Sequence, residues 1–493
     1  MIIRNRIQFE IWNKISQQLC LVAILLVALL SSCEQAPTPT PKPEKATPTP
    51  RPSRPTQAGI TPRPLGIFTP TTAPTSSLKV DSNDLQGLEI LFWHPWSGET
   101  GRIVEALVDE FNSSNIWGIE VVADSQTGFD ALFENLSTTL ETGARPDVIA
   151  SFFYHGLYWN RTGDKLVELE PYVNDPVWGF SEEEQADFYT GMWEQERWDS
   201  GRFGLPAQRT AQLLYYNLTW AKELGFANAP TTASQFQRQA CTAARANQSD
   251  TDRTNDGTGG LIISLDYDVI LNWIYAFQGQ VVNPEDGYAF DTSEIEAAFN
   301  FLRELYDQGC AWLTEQDFPE VEFATRQGLF STGSSAGIPS QEAAFADLGS
   351  KDEWTVIPFP AGRGEADFVT YGPSFMVFQS EPDKQLASWL LIKWLTSPAS
   401  QARLAEASAH FPVRASSLDT LDLLPRTHPQ WSVAASFLPS ARPEPPLESW
   451  RIVRWAVSDA ATQLFRYYFE VDQVPQLIKL LDQTANDLND SSQ

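Results

Sequence analysis

The 493-residue sequence is short of most of what marks a metalloenzyme or a nucleic-acid-binding protein. It has only four cysteines and four histidines, with no CxxC pair and no Cys/His spacing that would hold a metal. No metal and no cofactor are therefore expected. Basic residues are scarce: 34 Lys and Arg stand against 63 Asp and Glu, a net charge of -29. Such a field repels nucleic acid and anionic lipid headgroups, so neither is an expected partner. No apolar run approaches the roughly 20 residues that span a bilayer. No internal repeat is visible, and no motif sets two carboxylates together as a glycosidase pair would need.

What is present begins at the N-terminus. Arg4, Arg6 and Lys14 precede a twelve-residue apolar run at 19–30, followed by Ser31, Ser32 and Cys33. That order reads as a secretory signal over 1–32. Leu30-Ser31-Ser32-Cys33 also resembles a bacterial lipobox, which makes Cys33 the expected lipidated residue; an ordinary cleaved signal with an incidental cysteine is the alternative. Residues 34–77 carry twelve prolines and few aliphatic side chains. Such a tract cannot bury enough surface to offset its ordering entropy. It is expected to be a semi-rigid spacer of roughly 3 Å per residue. The tether is assigned to 33–78, holding the rest at the outer face of the cytoplasmic membrane.

Cys20 falls in the signal and Cys33 at the lipid site, which leaves Cys241 and Cys310. An even pair in an oxidising compartment is expected to be bonded, the alternative being two separate buried thiols.

From residue 79 onward strands alternate with amphipathic helices. Strands are expected at 88–93, 118–123 and 146–150, and helices at 99–112 and 129–140, where apolar residues recur at helical spacing. This βαβαβ start argues for α/β layers with largely parallel sheets and a crevice at the strand C-termini. A chain of this length suits two lobes.

The blocks LEILFWHPWSGETGRIVEALVDEFN, ARPDVIASFFYHGLYWNRTGDKLVELEPYV, GRFGLPAQRTAQLLYYNLTWAKELGF, GLFSTGSSAGIPSQ, YGPSFMVF and ASWLLIKWLTSPASQARLAEASAHFPVRAS occur in this order. As an ordered set over 86–420 they resemble family 1 extracellular solute-binding proteins, the carbohydrate-binding components of ABC importers of the maltose-binding type. The resemblance implies a non-enzymatic, two-lobed periplasmic-binding-protein fold with three interlobe crossings and hinge closure on a ligand. It implies crossings at 208–213, 369–373 and 412–416. Lobe one is then 79–210 plus 372–412, and lobe two 211–371 plus 413–493. The implied partners are a small carbohydrate and the membrane permease subunits, with the protein itself a monomer.

The candidate ligand contacts follow from chemistry and from this resemblance together. Aromatic rings stack on sugar faces while polar side chains bond the hydroxyls. After the first strand come His94, Trp96 and Ser97, at a helix start whose free N–H groups can bind oxygen. The loop over 151–158 offers Tyr154 and His155. At the first crossing stand Gln208 and Arg209, the latter with several donors. The second half supplies Trp273, Ser334, Ser335, Gln341, Tyr371, Gly372, Ser374 and His410. Asp252, Thr254, Asp256 and Gly257 echo a calcium loop, but Ile263 replaces its closing Glu, so a plain turn is expected. Two rival functions stay open: the same fold binding glycerol-phosphate esters, held by Arg209 and the helix start after Gly98, and a secreted polysaccharide hydrolase.

Overall fold

The first strand, β1 (Glu89–His94), buries alternate residues Ile90, Phe92 and His94, as a strand with one face against a core must. In the helix Gly98–Ser114 the buried Val104, Leu107, Val108 and Phe111 fall at three- and four-residue spacing. β2 (Glu120–Ser125) and β3 (Val148–Phe152) both run parallel to β1. Asp147, just before β3, accepts from the Leu91 amide at 2.9 Å and ties the two strands together. The computed structural model describes residues 74–140, 145–161, 163, 165–199, 201–283, 287–362 and 368–492. The signal, the lipobox Cys33 and the tether up to residue 73 lie outside the described residues. The last part of the tether is held: Ser76 Oγ and Ser77 N donate to Asp175 Oδ2 at 2.9 and 2.8 Å.

Two sheets organise two α/β lobes. The first has five strands, with β2, β1 and β3 followed by Pro373–Val377 and Leu205–Pro206. The second has seven, centred on Thr210–Asn217 and Gly328–Ser334. The expectation of largely parallel sheets needs correction. Pro373–Val377 runs antiparallel to β3, and Thr210–Asn217 runs antiparallel to three neighbours. The reason is topological. Each of these strands has just arrived from the other lobe, so it enters its sheet at the end where the resident strands leave.

The chain passes between the sheets at 207–209 and again at Gly372, each time directly from one strand into another. A third passage follows the helix Pro398–Ser408, which packs on Gly98–Ser114. The short turn of helix Ala415–Thr420 still packs on Pro398–Ser408, and only Pro429–Ala435 reaches the second sheet, at Trp354–Ile357.

Cys241, in the helix Ala233–Ser249, and Cys310 are joined by a disulfide. The closing helices Trp450–Leu464 and Val474–Ser492 pack on each other and on the second lobe. Among the described residues no helix is long and apolar enough to cross a membrane.

Candidate functional site

The crossings are fastened by one guanidinium. Arg209 is fully buried and its five N–H donors meet five acceptors. Nε donates to Gln195 Oε1 at 3.2 Å, Nη1 to the carbonyls of Gln208 and Pro373, and Nη2 to Ser374 Oγ and the Glu196 carboxylate. Ser374 Oγ also donates to Glu196 at 2.8 Å. Burial pushes the Glu196 carboxyl up, and the Arg209 charge beside it pulls the other way. Gln208 donates to Ser408 Oγ at 3.0 Å, and Arg209 pairs with Phe411 through the backbone. Gly372 has φ +150°, and a Cβ there would sit 2.5 Å from the Gln208 carbonyl, so the close approach of the two crossings requires glycine. Gln208, Arg209 and Ser374, expected as ligand contacts, hydrogen-bond to one another and to their neighbours in the crossings, and Gly372 packs against Gln208. Arg209 has no donor left to give.

Other candidates are core. His94 and Trp96 pack with Phe92 and Phe375 beneath the helix Gly98–Ser114, with ring centroids 5.3 to 6.1 Å apart. His94 is fully buried, with the Trp96 backbone beside its ring. Burial pushes its pKa down to about 4. Ser97 is exposed at the helix start and its side chain makes no cap. The loop expected at 151–158 is the helix Phe153–Asn160. Inside it, His155 is bonded to Ser151 Oγ at 2.9 Å and enclosed by Phe133, Phe152 and Trp159. Trp273 fills the second lobe's core between Phe236, Phe301 and Phe359. Ser335 is spent on Thr210, Oγ to Oγ1, at 2.9 Å. His410 is partly exposed near the crossings, with Nδ1 3.1 Å from the Ser408 carbonyl oxygen. Asp252 accepts from the Thr254 amide at 2.9 Å in an exposed turn.

The neutral buried His94 gives a pH prediction. Its folded pKa lies below the unfolded value of about 6.5, so its contribution is complete above that value and is lost as pH falls toward 4. Between pH 7.5 and 5 the loss amounts to about 2 kcal/mol. His94→Phe should therefore flatten the acid limb of the stability curve by that amount in urea unfolding at the two pH values.

Of the remaining candidates, Ser334, Gln341 and Tyr371 belong to the second lobe and Tyr154 to the first. Ser334 and Gln341 line a cavity of about 460 Å³ at the ends of Gly259–Ile263, Ala311–Leu313 and Gly328–Ser334, together with Gln212 of the crossing strand. Gln212 Nε2 donates to the Tyr371 hydroxyl at 3.0 Å. A separate cluster of side chains is drawn from both lobes. Arg454 of Trp450–Leu464 donates to the hydroxyls of Tyr154, from lobe one, and Tyr267, from lobe two. Its guanidinium carbon is 4.9 Å from the Tyr154 ring centroid, 5.1 Å from Tyr267 and 4.9 Å from Trp455. One turn earlier Arg451 lies over Tyr158 of lobe one at 4.8 Å. Two buried carboxylates complete the cluster: Glu444, which accepts from Trp450 Nε1 at 2.9 Å, and Asp268, which is hydrogen-bonded with Tyr267. Burial, with Glu444 nearby, holds the Asp268 carboxyl well above the usual range.

Of the residues expected as ligand contacts, Ser334 and Gln341 line the cavity and Tyr154 and Tyr371 lie in the hydrogen-bonded cluster; Gln212, Tyr267, Asp268, Glu444 and Arg454 also lie in one or the other and were not named from the sequence. One signal was available. Residues 444–455 concentrate two Trp, two carboxylates and two Arg in an acidic chain, which is unusual for a solvated helix. Tyr267 and Asp268 begin the helix after the strand Gly259–Ile263, the end of a parallel strand where ligands bind.

The fold matches solved binding proteins. The cyclic alpha-maltosyl-1,6-maltose binding protein from Arthrobacter globiformis superposes with a TM-score of 0.69 at 18% identity, covering 82% of this chain and 99% of that one. The sugar-binding protein MalE from Xanthomonas citri gives 0.68 at 21%, covering 82% and 98%. UgpB from Mycobacterium tuberculosis, solved with glycerophosphocholine, gives 0.62 at 18%, covering 81% and 98%. The family model described as bacterial extracellular solute-binding protein matches residues 106–435, well over half of the sequence, and the chain belongs to that family.

Proposed function

We propose that the protein is the receptor of an ABC importer, which captures a sugar or oligosaccharide between its lobes and hands it unchanged to a membrane permease. The observation that carries this reading is the interlobe cluster. Arg454 of one lobe donates to Tyr154 of the other and to Tyr267, and Tyr371 accepts from Gln212, which lines the cavity. That combination suits a ring with an apolar face and a hydroxylated edge. A ligand that contacts both walls stabilises the closed arrangement. Of the three solved relatives above, two are described as sugar-binding, which supports the same class. Anchoring through Cys33 and the Pro/Thr spacer would keep the receptor beside its permease. Cys33→Ser should release it from membranes on fractionation.

A glycerol-phosphate ester is the weaker reading. Arg209, the residue that would have held the phosphate, spends every donor inside the protein, and no basic side chain lines the cavity. Hydrolysis is weaker still. A glycosidase pair needs one carboxylate ionised and one protonated, whereas burial raises both Asp268 and Glu444.

Thermal shift across a panel of maltose-series, cello-series and glycerol-ester compounds tests the reading. A bound sugar at one hundred times its Kd should stabilise the fold by about 2.7 kcal/mol, and chromatography should recover it intact. Arg454→Ala should weaken that sugar roughly ten- to a hundredfold in calorimetry. Appearance of shorter sugars, or a shift with glycerol-phosphate esters alone, would turn the assignment to one of the other readings.

A further inference from the structure

Only two of the side chains lining the cavity are aromatic, Tyr215 and Phe318. Tyr215 is committed to the fold. It is buried, its hydroxyl donates to the Ser334 carbonyl at 2.7 Å, and its ring packs against Trp354 and Phe323 with centroids 5.0 and 6.2 Å apart. Phe318 is the opposite case. It is 78% exposed, more than any other phenylalanine among the described residues, and it packs into none of the hydrophobic cores. Leu313 of the same lining is exposed too. One exposed apolar side chain is ordinary, but two at the edge of one cavity mark a surface to be covered. The ring is also held in place. Pro319 restricts the residue before it to extended backbone. Gln341 Nε2 donates to the Glu320 carbonyl just beyond at 2.9 Å, and the Gln316 amide donates to Thr314 Oγ1 at 3.0 Å. A ring that lines the cavity yet stands mostly in solvent is at its mouth. A ligand confined to the cavity leaves that ring in water, whereas a chain of sugars running out through the mouth covers it.

We propose that Phe318 is the platform for an outer sugar ring, so that the receptor selects an oligosaccharide that runs past the cavity over a mono- or disaccharide contained in it. This rests on the carbohydrate-receptor reading and narrows it. The apolar face of the outer ring stacks on the free face of Phe318, which takes both out of water. The hydroxyls at the edge of that ring find Gln316 and Asp317 on the same loop.

Calorimetry on the full chain tests this with the maltose and cellobiose series, from two sugar units to five. In one series affinity should rise about tenfold or more from the dimer to the longest chain. In Phe318→Ala that ratio should fall toward one, and in Phe318→Tyr, which keeps the ring, it should survive. Neither variant should move the melting curve, since the side chain lies outside the cores. If the dimer and the longer chains of a binding series have equal affinity in the wild type, or if Phe318→Ala weakens every length alike or none, the outer platform is overturned and the sugar receptor stands. If no member of either series binds, the carbohydrate reading falls and takes this proposal with it.

Discussion

Arg209→Ala should lose about 3–5 kcal/mol of folding stability, the cost of leaving one partner of a buried ion pair alone. The variant strips Glu196 of the guanidinium paired with it at a site with no exposure, and it frees the Gln208 and Pro373 carbonyls inside the crossings. Glu196→Gln with Arg209→Met should recover much of the loss, because a buried pair replaced by neutral groups of similar volume leaves no unpaired charge. Urea unfolding of the three proteins measures it. A residue that only touched ligand would leave the midpoint unchanged, and that outcome would restore the sequence-based expectation for Arg209.

The disulfide carries the second large effect. Cys241 and Cys310 close a loop with a sequence separation of 69. Constraining such a loop in the unfolded chain is worth about 4 kcal/mol in the chain-entropy picture. Cys241→Ser with Cys310→Ser should lower unfolding stability by that order. The bond joins Ala233–Ser249 to the start of Ala311–Leu313 and neither cysteine lines the cavity, so the sugar affinity of the folded fraction should be retained.

The fold was legible in the sequence because it rests on periodicity. Helical spacing in 99–112 and 129–140 finds its helices within two residues at either end. The direction of the crossing strands was not legible. Pro373–Val377 reads like any apolar run, and only its entry from the other lobe makes it antiparallel. The site was legible in part. Short-range chemistry selects Arg209, His155 and Trp273 as polar or aromatic groups near strand ends. Whether such a group faces a ligand or its own neighbours depends on partners far away in sequence, such as Pro373 for Arg209. Arg454 and Glu444 were hidden for the converse reason. Arg454 meets Tyr154 only because the last helices fold back onto the first lobe, 300 residues later.

The central claim is that one solute is held between the lobes. It is tested most directly by calorimetric titration of the best sugar from the panel into wild type, Tyr154→Phe and Gln212→Ala, whose side chains come from lobe one and from the strand entering lobe two. Single-site binding to the wild type, with affinity falling at least about fivefold in each variant while the melting curves stay within a few degrees, is the result expected. Equal affinity in all three proteins would contradict it and place the ligand elsewhere.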